Sequence, residues 1–324
     1  MDLVDALRKK IDVLNEGEYI TGLKAVLMHI ETAFRHLSRG QETGDETAFT
    51  DAIYRTNQAF EGSIKEAYRA LTGQDPSKKR PYDIEGYLEQ NNVFRPRVLS
   101  QLTTYRTEWR NPSAHDYKLD FDESEAFLAI VSVSAFSCLL LDQIAERVAF
   151  ERTKAETSSQ VEAKPAVVQA ALIDQLIQLI SQFCSTSLVS ISSARVSESQ
   201  VVGALHGFLA ATAPGMEVLI DSHLGSETNY RADIIVRRGS EKVLLELKRS
   251  NSFSMFNNAL VQVENYMIVG GIKCAILLFW PESPSEMEHT FMALGGTDSQ
   301  FAVMAPQGSN LALIAAAHAL QPKA

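Results

Sequence analysis

The spacing of apolar residues changes near position 152, and this change limits the possible folds more than any other feature of the sequence. Up to Arg152 apolar residues recur every three or four positions, as they do along one face of an α-helix. After a polar stretch, short apolar runs typical of β-strands alternate with helical patterns. The sequence therefore predicts a helical first half and an α/β second half.

The first half contains several amphipathic helices with clear stop signals. Two are predicted over 23–34 and 49–67, and Gly73 ends the second. A third helix is predicted from Pro96 to Arg110. It is expected to break at Asn111, because the residue before a proline avoids the α conformation.

A long apolar helix is predicted from Asp122 to Ala145. Asp122 and Glu125 have the spacing of a capping box, which marks a helix start. The apolar run 126–141 contains three serines and is shorter than the roughly 20 residues that cross a bilayer. No transmembrane helix is therefore expected.

The second half combines strands and helices. Two strands flank RRGSEK, a charged turn with Gly239, and so predict a β-hairpin. The predicted strands are 216–220, 232–236 and 243–247, the predicted helices are 167–183, 197–211 and 256–269, and the apolar run 272–280 follows them. Ser197 is the expected N-cap of its helix.

The chain has 324 residues, which is more than one compact core usually holds. The polar stretch KAETSSQVEAKP lacks periodic apolar positions and is interpreted as a solvated linker. The fold class is thus a two-domain α plus α/β protein. Its parts are a helical bundle in residues 1–152, a linker in 153–166 and an α/β domain in 167–324.

Composition narrows the function classes. The net charge of −10 argues against a protein that coats nucleic acid through bulk charge, so any such contact needs local patches. The three cysteines, Cys138, Cys184 and Cys274, are far apart in apolar runs and are expected to be reduced and buried, with no zinc site. An N-terminus without an apolar signal segment favours a cytoplasmic protein.

The segment YRTEWRNPSAHDY places Arg110, Asn111 and His115 around a proline. An arginine can hold a phosphate through paired hydrogen bonds, and a histidine can exchange protons near neutral pH. The alternative is that both side chains only cap helix ends and pair with Glu108 or Asp116. A track for RNA is a further hypothesis for the nearby basic residues, which are Arg95, Arg97, Arg106 and the Lys78-Lys79-Arg80 loop.

This half of the chain resembles the HEPN family, whose helical bundles carry an Arg-x4-6-His motif between helices. The resemblance implies a metal-independent RNase site at Arg110, Asn111 and His115, with no cofactor. It also implies a homodimer or higher oligomer in which two motifs face each other, and the helix 122–145 is the candidate interface element.

The second candidate site is an acidic cluster with one lysine on the predicted hairpin. Glu246 and Lys248 are two positions apart on one strand and therefore share a face, and the hairpin can bring Asp233 beside them. Two carboxylates suit Mg²⁺ (or Mn²⁺), and an ammonium can position a water. The alternative, a hairpin whose charges simply face water, conflicts with its apolar residues.

This Asp-x12-Glu-x-Lys pattern is similar to the PD-(D/E)xK nuclease superfamily, which has a restriction-endonuclease-like mixed sheet flanked by helices. Gln262 and Tyr266 match the Gln-x3-Tyr element of its RecB-type branch, and Glu198 matches a glutamate that some members add to the metal site. Ala232 stands where many members have proline. The resemblance implies catalytic Asp233, Glu246 and Lys248, with the metal held by Asp233, Glu246 and Glu198.

Three functions stay open at this point. The first is a metal-dependent DNA nuclease whose HEPN part either cleaves RNA or dimerises. The second is a HEPN ribonuclease toxin whose second domain senses or binds nucleic acid, and the third is a non-catalytic interaction protein. Families that join such domains are mostly anti-phage defence systems of prokaryotes, so the resemblance implies that role, with partner proteins of such a system and no membrane contact.

Overall fold

The structure, a computed structural model, describes residues 3–14, 17–115, 118–160, 170–188, 196–226, 228–249, 253–292 and 299–319. The chain divides into two compact units, Met1–Val148 and Ala149–Ala324. The first is helical and the second contains a mixed sheet flanked by helices. The predicted α plus α/β organisation is confirmed at this level.

The helical unit is built on apolar helix faces that meet in one core. Its central side chains, such as Ile30, Phe60 and Phe136, are fully buried. The predicted helices over 23–34 and 49–67 are confirmed as parts of two longer ones. In chain order the helices are α1 (Leu3–Val13), α2 (Tyr19–Thr43), α3 (Thr47–Thr72), α4 (Pro81–Gln90), α5 (Pro96–Tyr105), α6 (Asn111–His115) and α7 (Glu123–Gln160).

Two predicted helix boundaries are confirmed in this unit. Gly73 follows α3 with a φ of 70°, and its N–H donates to the carbonyl of Arg69. Before α7, the Glu125 N–H donates to the Asp122 carboxylate at 2.8 Å, while the Asp122 N–H donates to the Glu125 carboxylate at 2.9 Å. This reciprocal pair is a capping box.

The predicted break at Asn111 was wrong. The chain continues from α5 through a π-helical turn, Arg106–Arg110, directly into α6. Asn111 keeps a helical conformation, with φ −69° and ψ −48°, and its N–H donates to the Arg106 carbonyl five residues earlier. In an α-helix the Pro112 ring would clash with the carbonyl four residues before it, and the wider turn relieves that clash.

A buried polar network fixes this turn against α3. The Tyr105 hydroxyl donates to Thr56 Oγ1 at 2.7 Å and contacts Asn57 Oδ1 at 3.0 Å. Asn57 Nδ2 in turn donates to Ser113 Oγ at 2.7 Å. The bend in the helix is therefore held by side chains on both sides of the π turn.

Helix α7 is longer than predicted and corrects the predicted linker. It continues to Gln160, so residues 153–160 are helical, and Thr153 and Thr157 are buried. The linker's remaining residues, 161–166, lie outside the described residues. Polar residues such as Lys154 and Glu156 are good helix formers, and packing of this segment decides its conformation.

By length and composition alone, the part 123–159 of α7 is apolar enough to cross a membrane, a criterion that core helices also meet, and half of its most apolar window is buried inside the protein. Its buried positions from Ala126 to Ala145 belong to the core of the helical unit, and Ala149 belongs to a core of the second unit. Phe127 and Leu128 are exposed. The candidate interface helix 122–145 thus uses most of its apolar surface within its own unit.

The second unit has a sheet covered by helices on both faces. In the described residues it has six strands in the order β1-β2-β3-β4-β6-β5, with β3, β4 and β6 parallel and the other pairs antiparallel. The elements are α8 (Leu172–Thr186), α9 (Glu198–Thr212), β1 (Glu217–His223), β2 (Arg231–Arg238), β3 (Glu241–Lys248), α10 (Phe253–Gly270), β4 (Cys274–Phe279), β5 (Met287–Met292), β6 (Gln300–Pro306) and α11 (Asn310–Ala319).

Helices α8 and α9 pack on one face of the sheet, and α10 and α11 pack on the other. The predicted strands, the hairpin and the Ser197 capping box are confirmed. The predicted helix 167–183 is confirmed from Leu172 onward, since 167–169 lie outside the described residues. Strands β5 and β6 and helix α11 were not predicted.

The three cysteines are free thiols, as predicted. Cys184 is buried, whereas Cys138 and Cys274 are half-buried. Burial raises the pKa of the Cys184 thiol to about 12, so it stays protonated and unreactive at neutral pH.

The packing of the last turns of α7 on α9 can be tested at Gly207. A Cβ there would lie 2.3 Å from the Phe150 carbonyl oxygen and 3.0 Å from the Lys154 nitrogen, both backbone atoms. We expect Gly207→Ala to destabilise the second unit by about 1–3 kcal/mol in chemical denaturation, because backbone must move to admit the methyl group.

The matched control is Gly215→Ala in the same unit, where an added Cβ meets nothing within 4 Å. Its effect should stay within about 0.5 kcal/mol. Stabilisation by Gly207→Ala, the usual result of adding alanine to a helix, would contradict the close packing.

Candidate functional site

The hairpin of β2 and β3 brings the predicted acidic residues to one end of the sheet. Its antiparallel register pairs Ile234 with Leu245 and Val236 with Val243, and Gly239 makes the turn with a φ of 60°. Asp233 lies near the start of β2, and Glu246 lies near the end of β3. Both therefore stand at the end of the hairpin away from its turn.

The carboxylate cluster is defined as Asp233, Glu246, Lys248, Gln262 and Tyr266. Hydrogen bonds join its last four members, and Asp233 interacts with Glu246. The Leu247 N–H donates to Asp233 Oδ2 at 2.8 Å. Lys248 Nζ donates to Glu246 Oε1 at 2.7 Å, and Gln262 Nε2 donates to the same oxygen at 2.8 Å. Gln262 Nε2 also contacts the Tyr266 hydroxyl at 2.9 Å. The structure thus brings these five predicted residues together.

Helix α10 supplies two of these side chains because of its own periodicity. Gln262 and Tyr266 are four positions apart, so they lie one turn apart on the same helix face. The apolar neighbours Ala259 and Val263 are buried against the sheet. Burial of that stripe turns Gln262 toward the end of β3.

The Glu246 carboxylate is the most unusual group in the cluster. The residue is only 1% exposed. Its Oε1 accepts the two hydrogen bonds from Lys248 and Gln262. Its Oε2 is buried with no hydrogen-bond partner of good geometry in the described structure, although the backbone and carboxyl group of Asp233 are close enough to affect the pKa of Glu246. A buried carboxylate oxygen without a partner costs free energy, and a bound cation is one group that can satisfy it.

The charges of the cluster are strongly coupled. Burial, together with the Asp233 carboxylate, raises the pKa of Glu246 to about 7. Burial likewise raises the pKa of Asp233. Burial disfavours the charge on Lys248, but the nearby Glu246, Asp233 and Glu198 carboxylates outweigh it and raise the lysine pKa. The lysine therefore stays charged beside two acids that compete for ionisation.

Glu198 occupies a different position from the two hairpin acids. It is exposed in the first turn of α9, just after the Ser197 capping box, and its charge acts on Lys248. Within the described ranges, no group of three or more His, Cys, Asp or Glu side chains is arranged to hold a metal. The cluster itself offers two carboxylates, Asp233 and Glu246, and Mg²⁺ commonly binds through one or two carboxylates and keeps several waters.

Asp221 is a neighbour of the cluster that the sequence did not reveal. It lies on β1 with a φ of 50°, and its charge helps to raise the pKa of Asp233. Its carboxylate and carbonyl accept from Arg231, at 3.3 and 2.8 Å. No local pattern marks this aspartate, because only strand pairing places it there.

The predicted Arg110, Asn111 and His115 site is joined only in part. Arg110 Nη1 donates to Asn111 Oδ1 at 3.1 Å, and Arg110 Nη2 lies 3.5 Å from a Glu61 carboxylate oxygen. Arg110 also lines a pocket of about 400 Å³, together with Tyr54, Arg55, Asn57, Gln58, Glu61 and Ala114. His115 is exposed and is not among the lining residues. The structure therefore joins Arg110 and Asn111 but not His115.

Three of the six basic residues in the hypothetical RNA track are paired with acids. Arg95 pairs with Glu146, Arg80 pairs with Asp83, and Arg106 pairs with both Glu85 and Glu89. Trp109 packs against the core of the helical unit, while Asp116 and Tyr117 lie outside the described residues. These pairs leave less free positive charge for RNA than the sequence suggested.

The raised pKa of Glu246 predicts how stability changes with pH when no metal is bound. The pKa of Glu246 in the folded protein is about 7, above its ordinary value of 4.5. The folded protein therefore holds this proton more tightly than the unfolded chain does, and the resulting stabilisation is lost as the pH rises through 7. From pH 6 to 8 in chelator, the group should lower the free energy of unfolding by roughly 1 kcal/mol.

Glu246→Gln should remove most of this loss, because an amide does not titrate. Urea denaturation at both pH values measures it, and Glu286→Gln, a change at an exposed acid of the same unit, is the control. Equal pH dependence in wild type and Glu246→Gln would show that Glu246 is not the titrating group.

The chain matches no protein-family model, no curated protein and no solved structure. What it does is therefore inferred from its own residues and their contacts.

Proposed function

We propose that the second unit is a Mg²⁺- or Mn²⁺-dependent nuclease that cleaves DNA phosphodiesters, with a PD-(D/E)xK, restriction-endonuclease-like fold. The observation that carries this proposal is the buried Glu246 carboxylate, whose Oε2 has no partner in the described structure, beside Asp233 and Lys248. A purely structural carboxylate at this depth would be expected to have both oxygens satisfied.

The residues present fit a divalent cation. Asp233 and Glu246 would hold it, and its charge would stabilise both ionised carboxylates, whose pKa values burial raises. A cation held there would stabilise negative charge on the phosphate and lower the pKa of a water bound to it. Lys248, held by Glu246 Oε1, can donate hydrogen bonds to a phosphate oxygen or to the attacking water.

In this proposal Gln262 and Tyr266 orient the Glu246 carboxylate and do not contact the cation. Gln262 fixes one oxygen of Glu246 and thereby leaves the other directed to the cation. Tyr266 contacts Gln262 and stacks at a tilt on Tyr230, with ring centroids 5.5 Å apart. DNA is preferred as substrate because the Asp-x12-Glu-x-Lys and Gln-x3-Tyr patterns resemble nucleases of that type.

For the helical unit we propose a HEPN-like module that forms a homodimer in a cytoplasmic defence protein. The exposed Phe127 and Leu128 on α7 offer apolar surface for a second copy. Partner proteins of an anti-phage system, and the absence of membrane contact, belong to the same proposal.

A second candidate function is RNA cleavage by this helical unit. The supporting observation is that Arg110 lines an open pocket with Arg55 and Tyr54, so phosphate and base could both be contacted. His115 is exposed and does not line that pocket. In a dimer, the His115 side chain of one subunit would therefore act on RNA bound in the pocket of the other.

The nuclease proposal predicts metal-dependent cleavage of DNA that fails in single variants. Asp233→Asn, Glu246→Gln and Lys248→Ala should each lower the cleavage rate at least about 100-fold in Mg²⁺. The first two remove a metal ligand, and the third removes the ammonium group that stabilises the phosphate. Chelator should abolish cleavage by the wild type.

Lys242→Ala is the matched control, since Lys242 is an exposed lysine of the same strand near the hairpin turn. Its rate should equal that of wild type. Folded Glu246→Gln protein that cuts DNA normally would disprove the assignment.

The RNase candidate predicts RNA cleavage that persists in chelator. His115→Ala should abolish it and leave Mg²⁺-dependent DNA cleavage unchanged, because the two sites share no residue. Glu246→Gln should show the reverse pattern. Equal RNA cleavage by wild type and His115→Ala would identify a contaminating enzyme and remove this candidate.

A further inference from the structure

Arg249 follows Lys248 at the end of β3, and its partly exposed guanidinium makes three contacts within the second unit. Nη1 donates to the Val196 carbonyl at 3.2 Å, and Nη2 lies 3.5 Å from a Glu282 carboxylate oxygen. The guanidinium carbon lies 5.0 Å from the centre of the Trp280 ring. An arginine held on one face and at both ends is positioned to tie elements together.

The partners of Arg249 belong to different parts of the unit. Trp280 follows β4, and its backbone N–H donates to the Lys248 carbonyl at 3.1 Å. Val196 is buried and directly precedes Ser197, the N-cap of α9. Arg249 thus connects the start of α9 to the ends of β3 and β4.

The start of α9 carries a further acid near the proposed metal site, outside the Asp233–Glu246 pair that would hold the cation. Glu198 is in the first turn, two residues after Val196, and its charge acts on Lys248. Any shift of this turn would move Glu198 relative to the carboxylate cluster. The Arg249 contact to Val196 opposes such a shift.

We propose that Arg249 is a positioning residue that holds Glu198 beside the carboxylate cluster and thereby strengthens its binding of a divalent cation. This inference rests on the proposed metal site. Glu198 would act on the hydrated cation through its charge and through retained waters, since Mg²⁺ and Mn²⁺ keep part of their water shell in such sites.

The competing interpretation is that Arg249 contacts a DNA phosphate. Arginine and lysine distinguish the two, because lysine keeps the positive charge but lacks the forked donors and the flat face that stacks on Trp280. A phosphate contact should survive Arg249→Lys in large part. A positioning role should not.

The test measures Mn²⁺ binding to the full-length protein without DNA. The electron paramagnetic resonance signal of free Mn²⁺ monitors the titration. Arg249→Ala and Arg249→Lys should each weaken binding roughly tenfold, the scale of changes behind metal ligands. Glu198→Gln should weaken it comparably. The double variant Arg249→Ala/Glu198→Gln should bind as Glu198→Gln does, because Arg249 acts through Glu198.

Arg238→Ala is the matched control. Arg238 also joins a backbone carbonyl, that of Ala170, to a carboxylate, that of Glu241, but it does so beside the hairpin turn. Its Mn²⁺ affinity should equal that of wild type. Thermal unfolding of each variant identifies any loss of fold, and the exposed Glu198→Gln and the charge-preserving Arg249→Lys carry the test if Arg249→Ala unfolds.

Three results would overturn the inference in distinguishable ways. Additive effects in the double variant would show that Arg249 does not act through Glu198. Normal Mn²⁺ affinity in Arg249→Ala and Arg249→Lys, with DNA binding lost only in the alanine variant, would make Arg249 a phosphate contact. Wild-type protein that binds no Mn²⁺ would instead remove the proposed metal site itself.

Discussion

The buried Glu246 carboxylate is the group to which the rest of the second unit is fitted. Its Oε1 is held by Lys248 and Gln262, and its Oε2 has no partner in the described structure. Taking a carboxylate out of water is costly, and the pKa of about 7 expresses that cost. The fold therefore keeps Glu246 partly protonated near neutral pH. A bound cation would favour its ionised form and offset the cost of burying the charge.

The architecture of the sheet makes this arrangement possible. Because helices cover both faces, β4 and the buried centre of β3 (Val243–Leu247) are apolar apart from Glu246, which stands out as the buried acid of β3. Helix α10 brings Gln262 from one layer, and α9 brings Glu198 from the other. The site thus draws on both helical layers, and it can exist only when the whole unit is folded.

In the helical unit, a π-helical turn positions Arg110. Pro112 cannot follow an ordinary helical turn, so the chain widens into a π turn that ends at Arg110. The Tyr105–Asn57–Ser113 hydrogen bonds hold that turn to α3. Arg110 is thereby directed to the pocket lined by α3.

Local patterns determined the parts of this protein that depend on neighbours in the chain. Periodicity identified the long helices, the Asp122 and Ser197 caps marked helix starts, and Gly239 marked the hairpin turn. The two-residue spacing of Glu246 and Lys248 placed them on one face before any contact was known. The hairpin then required Asp233 to be close by.

Only the tertiary structure decided the features that arise between distant segments. Residues 153–160 are helical because Thr153 and Thr157 are buried, although their polar sequence looks like a linker. Strand β5 has a mixed sequence, MEHTFM, with a largely exposed surface, and it pairs with β6. The partnerless oxygen of Glu246 and its raised pKa likewise follow from burial beneath residues far away in sequence. Burial and desolvation depend on the assembled fold, whereas caps, turns and periodicity depend on a few consecutive residues.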